Sequence, residues 1–326
     1  MAQGFRDYVF KRLLYLAITV LLILSFNYVL FRVMPGDVAN IVIPKGANET
    51  TRDMLREYYG LNESPITQYF IYMKQTLMGD FGRTLSVEIG SDVGSVIWPR
   101  LANTLVLVGI GTAISIILGV YFGRETAWRR GKALDKVGSS FFLVFYCMPT
   151  FLFALVLLML AANYIPGWPI KGVTSDDYYD LSPLERVFDR VQHLLLPLGA
   201  LVVETIATFS IITRSSLIDV LTEDYMTTAV AKGLRGKGVL KKHAMPNAMP
   251  AVVTVVAINV GWVLSGSIMI EIIFTYQGLG WLTWKAVWAR DYTLLQAAFM
   301  LEVLAVLIAN FVADLMLFKL DPRVKA

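Results

Sequence analysis

The residues in this sequence that could do chemistry are few and far apart. It has one cysteine, Cys147, and two histidines, His193 and His243, which are 50 positions apart. A disulfide needs two cysteines, and a zinc site needs several Cys or His ligands at close spacing. No nucleophile stands with a base at the spacing of a known hydrolase motif. The residue types therefore predict no catalytic residue, no metal site and no bound cofactor.

A basic, glycine-rich stretch could suggest a nucleotide-binding loop. Gly233, Gly236 and Gly238 alternate there with lysine and arginine. A phosphate-binding loop needs two glycines separated by four residues, then lysine and serine or threonine, with a strand before the first glycine. The complete pattern is absent here and no strand precedes the glycines. The sequence therefore does not predict that this chain hydrolyses ATP.

The elements that would position these residues include several long apolar runs. The 326 residues are 56% hydrophobic and 17% charged, whereas about a quarter of the residues of a soluble domain are charged. A helix needs about 20 mostly apolar residues to cross a membrane. Six runs meet that length, and they predict an all-α integral membrane protein with six transmembrane helices. The runs are 13–31, 101–123, 138–162, 194–212, 251–270 and 293–318.

Three acids lie inside these runs. A carboxylate within the membrane is costly and is therefore a candidate for function. Glu204 lies in the middle of its run, and Glu204 and Glu302 are the candidates for a translocation pathway. A structural polar contact between spans is the alternative for both. Asp314 lies near the end of the last run and is predicted to reach Lys319 or Arg323.

The distribution of basic residues predicts the orientation, because cytoplasmic loops are rich in lysine and arginine. With the N- and C-termini in the cytoplasm, the inside segments hold 17 basic residues in 72 positions and the outside segments hold 12 in 122. The net charges of the two sides are +10 and −3. The total of +4 thus indicates membrane topology, and it predicts no nucleic-acid partner. The inside segments are 1–12, 124–137, 213–250 and 319–326, and the outside ones are 32–100, 163–193 and 271–292.

This topology divides the chain into parts with different roles. Residues 1–31 form an N-terminal tail and the first span, and 32–100 form an extracytoplasmic segment. A short polar helix over 51–59, which Gly60 ends, and an amphipathic helix over 65–78 predict a small cap there. Residues 101–318 form a core of five spans, and 319–326 form a cytoplasmic tail.

The cytoplasmic loop 213–250, within that core, carries the strongest local pattern. Acids come first and bases later, the order that favours successive short helices. The glycines between them permit a bend, and the second helix leads to Pro246. A compact protrusion close to the membrane is predicted. A solvated basic loop without a partner is the alternative.

This loop resembles the cytoplasmic signature of ABC-importer permeases. Ala229, Gly233 and Pro246 match that signature at the right spacing, whereas Thr227 and Thr228 replace its glutamate and first alanine. In that departure the loop is similar to the peptide and nickel branch of the family. The residues that match the branch are Asp224-Tyr225, Thr228-Ala229, Ala231-Lys232-Gly233, His243 and Asn247-Ala248.

Short motifs elsewhere extend the resemblance over nearly the whole chain and favour the subunit conventionally called B. These are Met34-Pro35-Gly36-Asp37, Tyr59-Gly60-Leu61, Gly79-Asp80-Phe81-Gly82, Glu271 and Phe274 before Gly278-Leu279-Gly280, Asp291-Tyr292 and Leu320-Asp321-Pro322-Arg323. Their order and spacing carry the resemblance, because no single tetrapeptide is specific.

The resemblance implies a six-span permease subunit in the cell membrane, without catalytic activity, that forms half of a translocation pathway. It implies a homologous second permease, two ATPase subunits that bind ATP and magnesium, and an extracytoplasmic substrate-binding protein. Most members import di- or oligopeptides, and others import nickel or oligosaccharides. The loop is then expected to be a rigid knob that an ATPase grips. Its expected coupling residues are Asp224, Tyr225, Thr228, Ala229, Ala231, Lys232, Gly233, Arg235, His243, Pro246 and Asn247.

Two rival classes are weaker. A self-contained secondary transporter would favour matching interrupted spans in two halves of the chain, and no convincing repeat of that kind is present. A membrane-embedded hydrolase would need paired acids, a serine with a base, or a metal motif on a span, and none is found.

Overall fold

The computed structural model describes residues 5–33, 48–58, 61–234 and 236–320. Within these ranges the regular secondary structure is helical, apart from one isolated bridge between Arg83 and Asp92, and turns and irregular segments join the helices. The helices are α1 (Phe5–Val33), α2 (Glu49–Tyr58), α3 (Pro65–Leu77), α4 (Val93–Trp128), α5 (Ala133–Cys147), α6 (Thr150–Tyr164), α7 (Pro183–Leu221), α8 (Asp224–Ala231), α9 (Lys237–Val239), α10 (Met245–Ile273), α11 (Leu279–Ala289) and α12 (Tyr292–Leu320).

Four of the described helices are long and apolar enough to cross a membrane, namely Phe5–Arg32, Val93–Trp128, Pro183–Leu221 and Tyr292–Met316. They contain the predicted first, second, fourth and sixth spans. The predicted fifth span lies within α10, which has 29 residues and whose side chains from 257 to 266 are outside the description. The all-helical membrane fold expected from the apolar runs is therefore confirmed.

The predicted third span, 138–162, is not one straight helix. It consists of α5 and α6, which meet at a bend of 101°. Met148, which precedes Pro149, has extended backbone angles. The proline explains this conformation, because the residue before a proline is pushed out of the helical region. Each half has 15 residues, about 22 Å of helix, which is too short to cross a core of about 30 Å alone.

Small residues let α4 and α7 pack closely along their length. A Cβ atom on Gly119 would lie 2.5 Å from the Cβ of Phe209, and one on Gly123 would lie 2.6 Å from the Ser210 carbonyl oxygen. Ser115 is fully buried between them and hydrogen bonds to Thr205. Small residues at four-residue spacing are a usual means of close helix approach in membranes, so this pair forms the centre of the bundle.

An ion pair joins the bent helices to this centre. Arg214 of α7 donates to both carboxylate oxygens of Asp135 on α5, at 2.7 and 3.1 Å. Asp135 also accepts from the backbone N–H of Gly131 at 2.9 Å and from the Ser139 hydroxyl at 3.0 Å. The buried carboxylate is thus fully partnered, and the start of α5 is held against α7.

The first and last helices run antiparallel beside each other. Arg12 of α1 pairs with Asp314 of α12 at 3.1 Å, and Asn27 donates to the carbonyl oxygen of Gln296 at 3.0 Å. The described partner of Asp314 is thus on α1, and the predicted partners, the Lys319 side chain and Arg323, lie outside the described residues. The start of α1 and the end of α12 therefore lie at the same end of the bundle.

The described parts of the predicted inside and outside segments lie at opposite ends of the bundle. Leu217, Met226 and Val239 pack with Ala127 at one end, which we call the basic end. Phe31, Val93, Leu279 and Leu294 pack at the other, which we call the cap end because α3 lies there against α1. Tyr28 of α1 donates to the Pro65 carbonyl oxygen at 3.1 Å.

The amphipathic helix predicted over 65–78 is present as α3. Ser64 caps it by accepting from the Thr67 backbone N–H at 3.3 Å, and Pro65 occupies its first turn. The polar helix predicted over 51–59 is present as α2. Gly60, which was expected to end α2, lies outside the described residues.

Candidate functional site

The protrusion predicted between the fourth and fifth spans is built on α8, a helix with two different faces. Met226 and Ala229 are buried, at 4% and 6% exposure. Met226 packs against Leu217, Val239 and Leu240. The exposed residues of α8 and the turn after it are Asp224, Tyr225, Thr227, Thr228, Ala231, Lys232 and Gly233. The helix is thus anchored on one side and free to dock a partner on the other.

Most of the coupling residues expected from the resemblance lie on that exposed face. Ala229 lies on the anchored side, so its small side chain serves the packing of α8 within this chain. Arg235 lies outside the described residues. Tyr225 is 43% exposed. Partial desolvation and then the Glu223 carboxylate raise the pKa of its phenol, so the hydroxyl remains a neutral hydrogen-bond donor at neutral pH.

The turn after α8 has backbone angles that suit glycine. Gly233 has φ +86° and Gly236 has φ +50°, and a Cβ on either would meet nothing within 4 Å. Side chains are disfavoured there by backbone conformation and not by crowding. The predicted glycine-permitted bend is confirmed at these two positions.

The second half of the loop differs from the predicted short helix that leads to Pro246. It begins at Lys237, passes through a π-helical turn at Leu240–Ala244 and continues as α10 without a break. Pro246 falls in the first turn of α10, where a missing N–H is tolerated. Asn247 donates to the carbonyl oxygen of His243 at 2.7 Å. A continuous helix therefore connects the loop to the bundle.

The two acids predicted for a translocation pathway lie on different helix pairs. Glu302 of α12 is half-buried and accepts from the hydroxyl of Thr283 on α11 at 2.8 Å. Glu204 of α7 lies beside the hydroxyl of Thr150, the first residue of α6. The structure does not bring them together, and each has a polar contact between helices of this chain.

Two acids that the sequence offered only as motif positions organise the cap end. Glu271 is fully buried, and its carboxylate accepts from the Thr104 hydroxyl at 2.7 Å and the Trp281 backbone N–H at 3.0 Å. Thr104 also accepts from the Leu279 N–H at 2.7 Å. This network joins α4, α10 and α11.

Asp291 is the second such acid. One of its oxygens accepts from the backbone N–H groups of Leu85, Ser86 and Val87 at 2.8, 2.9 and 3.1 Å. The other accepts from the Leu294 N–H at 3.2 Å, at the start of α12. Its place directly before an apolar run is a sequence signal for a helix cap, whereas its contact with 85–87 has no local signal.

Clusters that could hold a metal ion are missing from the described part of the chain, since no three His, Cys, Asp or Glu residues gather there. Polar groups occur mainly as caps, helix contacts and the exposed face of α8. This arrangement defines a polytopic membrane protein with an exposed helix face at its basic end, and transport components belong to this class.

The comparisons with known proteins show the family. Residues 82–326 match the model of the binding-protein-dependent transport system inner membrane component, and residues 5–89 match the N-terminal model of the same kind of component. The chain belongs to this family and is a non-catalytic, multi-pass permease component of an ABC importer. The resemblance drawn from the sequence is thereby confirmed.

Relatives align over nearly their full length. The chain is 31% identical to the oligopeptide transport system permease protein AppB of Bacillus subtilis, over 98% of this chain and 99% of that protein. It is 31% identical to the dipeptide transport system permease protein DppB of Alkalihalophilus pseudofirmus, with the same two coverages. It is 33% identical to the glutathione transport system permease protein GsiC of Salmonella typhimurium, again over 98% and 99%.

A solved structure shares the fold. An inward-facing structure of the MetNI methionine ABC transporter has a chain that matches with a TM-score of 0.56 and 14% identity, covering 70% of this chain and 97% of that one. Family membership implies ATPase and substrate-binding partners in general, with ATP hydrolysis in separate subunits.

Proposed function

We propose that this chain forms half of a translocation pathway for di- or oligopeptides, together with a homologous second permease. Two ATPases that bind ATP and magnesium would drive it, and an extracytoplasmic binding protein would deliver the substrate. The observation that carries this proposal is the full-length similarity to permeases of oligopeptide, dipeptide and glutathione systems. Nickel and oligosaccharides are the alternative substrates.

The proposed topology has six spans, with both termini and the loop 213–250 in the cytoplasm. The antiparallel pairing of α1 with α12 supports termini on one side. The basic end holds the loop and the end of α4, which agrees with the positive-inside bias of the sequence. In this scheme α5 and α6 together form one broken span.

The proposed coupling surface is the exposed face of α8, with the turn that contains Gly233. An ATPase that holds this face would move with it when ATP draws the two ATPases together. Movement is transmitted only if the connection is stiff. The buried anchor at Met226 and the continuous helix from Lys237 into α10 support a stiff connection.

Copurification of the assembled importer tests the coupling surface. Thr228 is exposed on α8, so Thr228→Arg should leave the fold intact and block a tightly fitting partner. We expect the variant to lose the ATPases and the stimulation of ATP hydrolysis by substrate and binding protein. Thr50→Arg is the matched control, because Thr50 is exposed on α2 near the cap end.

Retention of the ATPases by Thr228→Arg, at the level of the control, would show that α8 is not the docking surface. The substrate proposal has its own test in proteoliposomes that contain the full importer and its binding protein. Uptake of a labelled dipeptide or oligopeptide is expected, and uptake of nickel or an oligosaccharide in its place would overturn the peptide assignment.

A further inference from the structure

A groove at the basic end is lined mostly by cationic side chains and contains none of the exposed residues of α8 that are proposed to contact the ATPase. It has a volume of about 690 Å³ and lies between the end of α4, the turn after it and the helix that begins at Lys237. Five of its lining residues are cationic, and one, Glu125, is anionic. The groove therefore has a strong preference for an anion.

The cations of this groove are only partly neutralised by the protein. Glu125 pairs with Arg124 at 2.8 Å and with Arg129 at 3.6 Å. Within the described ranges, no ion pair engages Lys132, Lys237 or Lys241, and all three side chains are exposed. Three lysines from two separate chain segments thus converge on one space without a carboxylate partner there.

An apolar groove of about 610 Å³ continues from the basic one. Glu125 and Arg129 line both. The second groove runs along α4 between Arg129 and Leu118, and Val137 and Phe141 of α5 form its other wall. Eleven residues of helix correspond to a rise of roughly 16 Å. The joined space is charged at one end and hydrocarbon-like along the rest.

Aromatic residues lie where the two grooves meet. Trp128 lines the basic groove and Tyr121 the apolar one. The Arg124 guanidinium lies 5.1 Å from the centre of the Tyr121 ring. Trp and Tyr are enriched at the level of the lipid headgroups, and the predicted second span ends at residue 123. The aromatic residues and the predicted end of the span both indicate that the junction lies at the level of the lipid headgroups.

We propose that these joined grooves bind an anionic phospholipid, with its phosphate at Lys132, Lys237 and Lys241 and an acyl chain along α4 and α5. The charge and the apolar shape together select this occupant, because a free phosphate would use only the basic groove and a zwitterionic lipid such as phosphatidylcholine would bring a second cation next to the lysines. Basic pockets beside membrane helices on the cytoplasmic side are typical sites for anionic headgroups.

Lipid retention by the purified full-length chain tests the proposal. The protein would be exchanged into detergent with phosphatidylglycerol or phosphatidylcholine, and bound lipid would be counted by native mass spectrometry. We expect phosphatidylglycerol to be retained and Lys237→Gln/Lys241→Gln to lower its retention about thirtyfold, the scale expected when two lysines near an anionic headgroup are removed. Arg6→Gln/Lys11→Gln is the matched control, because it removes two exposed charges near the start of α1.

A second variant separates a lipid from a free phosphate. Val137 is 70% exposed in the apolar groove, so Val137→Trp should obstruct the acyl chain, lower phosphatidylglycerol retention and leave the basic groove intact. The overall helical content, from circular dichroism, should be unchanged in every variant. Inorganic phosphate should compete poorly with the lipid.

Four results would overturn the proposal. They are equal retention of the two lipids, an equal effect of the lysine variant and its control, strong competition by inorganic phosphate with no effect of Val137→Trp, and loss of the lipid when the partner permease is added. The third would indicate a phosphate site, and the last would indicate a protein interface. The lipid measurements on the purified chain need no ATPase, no partner permease and no transported substrate, so their result is independent of the proposed function.

Discussion

At the scale of single residues, buried acids keep the cap end together. Glu271 and Asp291 are both fully buried, and each accepts hydrogen bonds from groups on other segments of the chain. A buried carboxylate is tolerated when such partners are present. These residues therefore act by joining segments that are distant in sequence.

Asp291→Ala should destabilise the protein, because the three N–H groups at 85–87 would lose their acceptor. We expect a loss of about 3 kcal/mol in the free energy of unfolding, since hydrogen bonds to a charged group are strong and buried donors without partners are costly. Thermal unfolding in detergent gives the global effect. Limited proteolysis at 85–87 reports on the local effect.

Asp176 provides the control for that experiment, because it is exposed and Asp176→Ala should change neither measurement. If Asp291→Ala unfolds at the temperature of the wild type and its 85–87 segment stays resistant to protease, the hydrogen bonds of Asp291 contribute little to stability.

At the scale of elements, the contact between α4 and α7 depends on the absence of side chains. Gly111, Gly119 and Gly123 all face α7, with hypothetical Cβ atoms within 2.6 Å of its atoms. Gly109 is on the same helix, and a Cβ there would meet nothing within 4 Å. The effect of adding a side chain can therefore be compared between a glycine that contacts α7 and one that does not, within the same helix.

Gly119→Leu should force α4 and α7 apart, whereas Gly109→Leu should be tolerated. Overpacking a close contact costs roughly 1–3 kcal/mol, and more where the backbone must move. We expect the Gly119 variant to show a clearly lower unfolding temperature and yield of folded protein in detergent. Equal behaviour of the two variants would refute the close contact between these helices.

Sequence periodicity predicted elements well where the signal is local. The amphipathic pattern and the Ser64-Pro65 start are enough to place α3, and the apolar runs place the long helices. The 101° bend at Met148-Pro149 was not predictable in size, because a proline indicates a break and the angle depends on packing. The passage of a single helix through Pro246 depends on the π-helical turn before it, which has no sequence signal.

The candidate site was predictable to a similar degree. The pattern located α8 and its glycine turn, but it did not separate the buried Ala229 from the exposed Thr228. The ion pair between Asp314 and Arg12 shows the same limit, because the two residues are far apart in the sequence. Contacts between distant segments require the folded arrangement.

At the scale of the whole molecule, the proposed topology makes the two ends chemically distinguishable. Cys147 is exposed and is the single cysteine of the chain, so Cys147→Ser gives a background without thiols. Ile89 at the cap end is 73% exposed, and Lys242 at the basic end is also exposed.

In that background, a membrane-impermeant maleimide added to intact cells should label Ile89→Cys and leave Lys242→Cys unlabelled until the membrane is opened. Labelling of both in opened membranes is the control for reactivity. The reverse pattern in intact cells would invert the orientation, and with it the placement of the coupling surface and the lipid groove.

The pairing of the first helix with the last has a consequence for biogenesis. On a ribosome α1 leaves the exit tunnel before the other described helices, and α12 leaves it last. The contacts Arg12–Asp314 and Asn27–Gln296 can therefore form only after α12 has emerged. Until then Arg12 lacks its carboxylate partner on α12, although it donates to the hydroxyl of Tyr8 on its own helix at 3.2 Å. A chain that stalls before α12 emerges would therefore present an α1 whose polar contacts are incomplete.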